Sequence, residues 1–281
     1  MILETTSKDQ PVSTRTRQHR LMMHTLLGQL GMIDGSAHLL VSADTSELCI
    51  AVYDAGGVGK RGPRNLDRVF SKTKSIMRRV GVADIRDGVL DQFDMVIFPG
   101  GSGSKQAAAL EEEGQEVVKQ FVEDGGGYMG ICAGAFLAAS NYSWSLGISN
   151  HKTFCETIDV PGIGRKSMWF RGGSAPVTME LTDEGRSILG DFEGVFEVRY
   201  QNGPIMSPMG RQGLGNFRSL AHFRSEVSKY KPQEGTMINT PAVIVGEYGD
   251  GRVLCISPHP ESTDALNRLV QNAVRWTARR R

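Results

Sequence analysis

From Leu48 onward, short unbroken apolar runs alternate with longer amphipathic stretches, and clusters of glycine mark the joints. Leu48-Cys49-Ile50-Ala51-Val52-Tyr53 carries no charge and runs into Asp54-Ala55-Gly56-Gly57, which predicts a strand buried on both faces that breaks into a glycine loop. Asn65 to Val80 then places Leu66, Val69, Phe70, Ile76 and Met77 at helical intervals and predicts one helix, stopped by Gly81. The unit recurs. Asp94 to Pro99 reads as a second buried strand, Gly100-Gly101-Ser102-Gly103 as its loop, and Glu111 to Glu123 as a helix ending at Gly125-Gly126-Gly127. Tyr128 to Ile131 reads as a third strand, running directly into Cys132-Ala133-Gly134-Ala135 and the small apolar helix Phe136 to Ala139.

Beyond Asn141 the pattern changes to short extended runs separated by Gly and Pro: Gly194 to Tyr200, Ser219 to Arg224, and the pair Ala242 to Tyr248 and Arg252 to Ile256. Asp250-Gly251 between the last two is a hairpin signal. A final helix from about Asp264 to Thr277 has Leu266, Leu269, Val270 and Val274 on one face. Residues 1–46 are polar and aperiodic, which predicts a flexible tail with one short helix around Met22 to Leu30. Residues 47–281 form a single domain, with no repeat and no linker. Strands alternating with helices imply an α/β fold whose mainly parallel sheet is covered on both faces and binds ligands at the carboxyl ends of its strands. The loops after Asp54, Pro99 and Ile131 are therefore where chemistry is expected.

Composition narrows the functional classes. With 32 Lys plus Arg against 31 Asp plus Glu, the formal charge of +1 argues against an electrostatic nucleic-acid binder. Apolar and charged shares of 40% and 22% suit a globular domain with a sizeable core. The 34 glycines among 281 residues exceed the usual ~7% and point to many tight loops. Cys49, Cys132, Cys155 and Cys255 are too few and too scattered for a disulfide framework, and no CxxC or Cys/His cluster calls for a metal. A reducing, cytoplasmic setting follows from that cysteine usage. The best candidate for a membrane segment, Leu21 to Ile33, is broken by His24, Gln29 and two glycines. Arg15, Arg17 and Arg20 ahead of it resemble the charged start of an export signal, which keeps secretion as the second reading.

Gly130-Ile131-Cys132-Ala133-Gly134-Ala135 has the form of a nucleophile elbow, a sharp strand-to-helix turn that presents its nucleophile between small residues. Gly130 and Gly134 leave room for the turn, the start of the helix favours a thiolate, and the Ala133 amide is placed to stabilise an oxyanion. The alternative is that Cys132 is only a small buried residue. Ser257-Pro258-His259-Pro260-Glu261 supplies the complement: a histidine as general base or ion-pair partner, held between prolines, with Glu261 on the same side of an extended backbone to orient it. Read alone, that segment is equally a surface loop. Pro99-Gly100-Gly101-Ser102-Gly103 offers further oxyanion donors, Gly101 first and Gly100 second.

These three motifs, in this order and at these separations, resemble the class I glutamine amidotransferase-like superfamily. Tyr200-Gln201-Asn202-Gly203-Pro204, Asn239-Thr240-Pro241-Ala242-Val243 and Tyr248-Gly249-Asp250-Gly251-Arg252-Val253 resemble more narrowly the family named after the N-terminal domain of eukaryotic biotin–protein ligases. The likeness covers roughly residues 47–276. It implies a flavodoxin-like three-layer sandwich with a C-terminal β-hairpin, Cys132 as nucleophile, His259 as base, Glu261 as orienter, and Gly101 and Ala133 as oxyanion donors. In the amidotransferases such machinery cleaves the side-chain amide of glutamine through a thioester and passes ammonia to a synthase. Those enzymes usually carry Gln where this chain has Phe136, so the resemblance implies an amide other than simple glutamine. The elbow also resembles the GxSAG turn of cyanophycinase-type peptidases, with Cys in place of Ser.

The expected enzyme is thus a stand-alone cysteine amidohydrolase, acting without a cofactor on a small-molecule or peptide amide, with a separate synthase as partner for any ammonia. The substrate-binding set is Gly100, Ser102, Phe136, Tyr200, Asn202 and Gly203, and the irregular half is expected to add a wall from Tyr200 to Pro204, Asn141 to Trp144 and His151. A binding or regulatory module on the same fold is the rival class. Gly57-Val58-Gly59-Lys60-Arg61-Gly62 formally matches a dinucleotide motif, but Pro63 and a polar segment intervene before the helix. Lys60, Arg61 and Arg64 there either attract an anionic substrate group or are solvated surface. His151 reads as a surface or hydrogen-bonded histidine rather than a second base, and Ala278 to Arg281 as a solvated helix end.

Overall fold

In the computed structural model, which describes residues 48–154, 157–167, 174–227 and 235–278, the apolar runs become the middle of a nine-stranded sheet. Its first half is built from β1 (Cys49–Tyr53), α1 (Gly62–Phe70), β2 (Ile76–Val80), α2 (Val82–Arg86), β3 (Met95–Phe98), α3 (Gly103–Glu123), β4 (Gly127–Ile131) and α4 (Ala133–Ala138). The second half contributes β5 (His151–Thr153), β6 (Thr157–Val160), β7 (Gly164–Ser167), β8 (Ser174–Leu181), α5 (Asp183–Leu189), β9 (Val195–Gln201), β10 (Met206–Pro208), β11 (Arg218–Phe223), β12 (Pro241–Tyr248), β13 (Gly251–Ile256) and α6 (Asn267–Thr277). The sheet order is β2-β1-β3-β4-β13-β12-β11-β8-β9, and the strands from β2 through β13 pair in parallel. The remaining pairings are antiparallel, so only β12 and β8 run against the other seven strands. The expected flavodoxin-like α/β sandwich is the fold observed, extended by an antiparallel wing.

Side chains along the parallel strands divide cleanly by alternation. Ile50, Val52, Met95, Ile97, Met129, Ile131, Leu254 and Ile256 pack with Leu66, Val69 and Phe70 of α1 and with Leu269, Val270, Ala273 and Val274 of α6. Cys49, Ala51, Tyr53, Val96, Phe98, Tyr128, Val253 and Cys255 pack on the other face with α3 and α4. Because both faces are covered, neither set needs polar residues, which explains the unbroken apolar runs. Every strand of the parallel set ends at one rim. The loop after β1, the loop after β3, the start of α4 and the segment after β13 meet there.

Several boundaries differ from the sequence expectations. The helix expected over Asn65 to Val80 is two elements, α1 and the edge strand β2, since Ile76 to Val80 pair in parallel with β1. The hydroxyls of Ser71 and Thr73 donate back to the carbonyls of Arg68 and Phe70 and close the helix there. The helix expected from Glu111 begins at Gly103, and Glu111 is a break within it, at φ 56°. In the C-terminal hairpin Tyr248 pairs with Gly251, so the turn is Gly249-Asp250, one residue earlier than the Asp250-Gly251 signal. Gly249 has φ +57°, and a Cβ on Gly251 would lie 2.0 Å from the Val122 carbonyl. The last helix starts as a 3-10 turn at Asp264–Leu266 before α6. The tail at 1–46 with its Met22 to Leu30 helix, Glu47, Cys155 and Arg279 to Arg281 lie outside the described residues.

The elbow depends on two glycines. A Cβ on Gly130 would lie 2.5 Å from the Gly134 carbonyl, and one on Gly134 would lie 2.1 Å from the Phe98 carbonyl. These contacts are backbone, so α4 would have to lift off β3 and β4. Gly134→Ala is therefore expected to destabilise the domain by roughly 2–4 kcal/mol, the scale of overpacking plus lost contacts, read as a drop in Tm. A Tm within a degree of the parent would show that α4 does not pack this closely.

Candidate active site

Cys132 sits between β4 and α4 with φ 51° and ψ −97°, a conformation that side chains with a Cβ rarely adopt. Its amide donates to the Ile256 carbonyl at 2.8 Å, which ties this turn to the end of β13. The residue is 6% exposed, and its Sγ lies 3.5 Å from the Gln201 carbonyl. Cys49 and Cys255, also free thiols, point into the core instead, and burial pushes the Cys255 thiol well above its usual range. Only Cys132 of these three faces an open cleft.

His259 is held from several directions. Its amide donates to the Arg199 carbonyl at 2.7 Å, its carbonyl accepts from Ser262, and its Nδ1 lies 2.9 Å from Glu261 Oε1. The Glu261 contact does not come from an extended backbone as the sequence reading supposed. Pro260–Ser262 is a 3-10 turn, whose first position suits a proline, and the turn swings the carboxylate back under the ring. Glu261 is 1% exposed, and its Oε2 has no partner among the described residues. Arg68 donates to the Glu261 carbonyl and pairs with Asp264, which anchors the turn from α1. Gly100 leaves the room the imidazole needs, since a Cβ there would lie 2.6 Å from His259 Cε1.

Burial alone would lower the His259 pKa, but the charge of Glu261, the charge of Cys132 and a side-chain hydrogen bond to each raise it to about 10. The ring therefore holds its proton over the neutral range. Because the proton is held more tightly in the folded chain than at the ordinary 6.5, this pairing stabilises fully below about pH 6.5 and is lost as pH rises through about 10. Glu261→Gln keeps the size and an acceptor but removes the charge. Its expected result is a fall of the His259 pKa from about 10 toward 6.5, followed by NMR of the ring protons. An unshifted titration would assign the raised value to something other than Glu261.

The cleft has a volume of about 960 Å³ and is lined by Cys132, His259 and Glu261 together with Gly100, Gly101, Ser102, Phe136 and Asn202 from the expected set. Gly101 has φ +152° and opposes Val58 in a bridge whose hydrogen bonds are Gly59 N–H to Gly100 O and Ser102 N–H to Gly57 O. Its own N–H is not used by that bridge. Ala133 is buried next to Cys132 as the first residue of α4, where an amide has no intrahelical acceptor. Tyr200 and Gly203 are not in the cleft. Tyr200 is fully buried, stands edge-on to Phe223 and donates to the Gly203 carbonyl at 2.7 Å, while a Cβ on Gly203 would meet the Ser257 carbonyl at 2.1 Å. Both support the wall from behind; the residues that form it are Arg199, Gln201 and Asn202.

The remaining lining comes from Tyr142 and Trp144, stacked with centroids 4.6 Å apart, and from Gly59, Lys60, Arg61, Gly62 and Asn65 of the loop after β1. Arg64 is exposed but does not line the cleft. His151 is neither on the surface nor in the cleft: it is fully buried, bonded to Ser149 Oγ and the Ala135 carbonyl, and burial lowers its pKa to about 4. It is a neutral prop behind α4. The sequence pointed to Gln201 and Asn202, within the stretch Tyr200 to Pro204, but not to Arg199, for which the alternation of β9 was the available signal. Val198 and Tyr200 face the core, so Arg199 and Gln201 face away from it, joined by a hydrogen bond of 2.8 Å.

Residues 85–278 match the family described as biotin-protein ligase, N terminal. A biotin--protein ligase of Schizosaccharomyces pombe is 21% identical over 59% of this chain, which spans only 25% of that protein. Pyridoxal 5'-phosphate synthase subunit PdxT of Pyrococcus furiosus is 26% identical over 49% of the chain and 70% of its own length. Among solved structures, PurLQS from Thermotoga maritima superposes with a TM-score of 0.54 at 14% identity, covering 82% of this chain and 98% of that one. A thua-like protein from Bacteroides uniformis gives 0.52 at 13% identity, covering 82% and 91%. At these identities the structural likeness establishes the fold.

Proposed function

We propose, on the premise that this chain belongs to the biotin–protein ligase N-terminal family, that it is an amidotransferase-like enzyme in which Cys132 hydrolyses an amide C–N bond through a thioester. The observation that carries this reading is the convergence in one cleft of two distant parts of the chain: a cysteine on a strained turn, and a histidine whose Nδ1 is backed by a buried carboxylate 2.9 Å away.

The steps follow from the charges. The Cys132 thiolate adds to the carbonyl carbon, and the oxygen that takes the electron pair is stabilised by the Gly101 and Ala133 amides. The intermediate collapses with cleavage of the C–N bond, and the departing amine takes the proton held by His259. Neutral His259 then accepts a proton from water as its oxygen attacks the thioester. The acid leaves, and the thiolate–imidazolium pair is restored. Glu261 keeps the ring oriented throughout and stabilises its charged form.

Phe136 supports a substrate other than simple glutamine, because an apolar ring stands in the cleft where glutaminases usually carry an amide side chain. The likeness to a protein named as a synthase subunit supports a separate synthase as the recipient of ammonia where a primary amide is cleaved. The test is mass spectrometry of the intact protein after rapid quenching from a panel of primary and secondary amides, with glutamine included. An acyl adduct on Cys132, with amine release, is the expected result. A binding or regulatory module on the same fold predicts occupancy of the cleft with no adduct from any amide.

A further inference from the structure

The cleft has two unlike walls. On one side, the loop carrying Lys60 and Arg61 is stitched to Gly100 by the 2.8 Å bond from Gly59 N–H, Gly100 lies against the His259 ring, and the Arg199 carbonyl holds the His259 amide. Lys60, Arg61 and Arg199 all line the cleft, so three cationic side chains gather on the histidine side. The carboxylate among the lining residues, Glu261, is already engaged by His259. Among the described residues, the ion pairs use other cations, such as Arg68 with Asp264 and Arg79 with Asp54, and include neither Lys60 nor Arg61. On a chain whose formal charge is only +1, this is a local concentration of positive charge rather than a general property of the surface.

A second part of the lining is aromatic. Phe136, Tyr142 and Trp144 line the cleft beside the start of α3; a Cβ on Gly103 would meet Phe136 Cβ at 3.1 Å and the Trp144 ring at 3.3 Å. Tyr142 and Trp144 are stacked, and the Tyr142 hydroxyl bonds Thr153 Oγ1 at 2.5 Å, so the flat surface is fixed in place. Cys132 lines the same cleft.

We infer that the substrate is an anionic amide that places a carboxylate or phosphate against Lys60, Arg61 and Arg199 and lays a flat apolar portion on Phe136, Tyr142 and Trp144. This rests on the reading of Cys132 as the nucleophile and adds the substrate class to it. A neutral aliphatic amide would leave both walls unused.

Two alkylating probes of similar size and different charge test the anionic half. Iodoacetate and iodoacetamide are reacted with the full chain, and their rates at Cys132 are read by site mapping. The ratio of the iodoacetate rate to the iodoacetamide rate is expected to exceed that for glutathione by about tenfold at low salt, to shrink in 0.5 M NaCl, and to fall about threefold or more in Lys60→Gln/Arg61→Gln and in Arg199→Gln. The imidazolium favours iodoacetate in every variant, so the change between variants isolates the three cations. Lys119→Gln, remote from the cleft, is the control and should leave the ratio unchanged.

The aromatic half is read by protection of Cys132 from iodoacetamide. Benzoate is expected to protect at lower concentration than either acetate, which lacks the ring, or benzamide, which lacks the charge. Trp144→Ala should erase the advantage over acetate, and the Lys60/Arg61 variant the advantage over benzamide. Ratios equal to glutathione's, or ratios and protection unmoved by these variants, would overturn the substrate class while leaving a fast iodoacetamide reaction, and so the nucleophile, intact. A Cys132 no faster than Cys49 and Cys255 toward either reagent would overturn both.

Discussion

Replacing Cys132 with alanine is expected to lower amide turnover by about 10⁴-fold or more, the scale seen when a covalent nucleophile is removed, while leaving the fold in place. The two parts of that expectation have separate causes. Turnover goes because no other described thiol reaches the cleft: Cys49 is 4% exposed and Cys255 is fully buried, each within a strand of the core. The fold remains because alanine also carries a Cβ and so leaves the backbone at φ 51° as strained as before. Losing one partly packed sulfur should cost about 1 kcal/mol, or roughly 2–4 °C in Tm for a domain of this size. Turnover retained by a folded Cys132→Ala protein would remove the nucleophile from the account.

The second large effect is expected from His259→Ala, with turnover reduced by about 10²- to 10⁴-fold, the range for loss of a positioned proton donor and acceptor. Its pH signature is more telling than its size. Because Glu261 and Cys132 raise the His259 pKa to about 10 against the effect of burial, kcat/KM for the parent should fall as pH rises through about 10, where the ring loses the proton it must give to the leaving amine. The alanine variant should lack that descending limb. A variant that kept the limb would assign it to another group, and His259 would then be a structural neighbour of the nucleophile rather than its proton carrier.

What could be read from the sequence depended on how far apart the cooperating residues lie. β1, β3, β4 and β13 were legible because strands buried on both faces need unbroken apolar runs. β2 was not. Ile76 and Met77 are only half-buried at the edge of the sheet, Arg78 and Arg79 are exposed, and their spacing continues the helical rhythm of Leu66, Val69 and Phe70 by coincidence. Pro176 hid β8 in the same way, since a proline inside an apolar run argues against a strand, and here it is accommodated in pairing with β9. Local spacing also sufficed for the elbow and for the contact of His259 with Glu261. The 3-10 turn that makes that contact was not foreseen, because two geometries bring residues i and i+2 together.

The walls of the cleft show the opposite case. Nothing near Gly100 in sequence says that its missing side chain makes room for His259, and nothing near Arg199 says that its carbonyl holds the same histidine. Tyr200 belongs to the stretch Tyr200 to Pro204 that the irregular half suggests as a wall, yet the alternation of β9 sends its ring into the core and turns Arg199 and Gln201 to the cleft. Lys60 and Arg61, by contrast, line the cleft as their place after β1 suggests, whereas Arg64, grouped with them in the sequence, does not.

The central claim is that Cys132 and His259 form an activated pair, and it is tested most directly by the pH dependence of iodoacetamide labelling with every cysteine mapped. Ordinary thiols, with pKa near 8.5, are almost wholly protonated at pH 6. The account predicts rapid labelling of Cys132 at pH 6, with Cys49 and Cys255 unreacted in the folded chain. Labelling of Cys132 that appears only above about pH 8, at the rate of a free thiol, would contradict it.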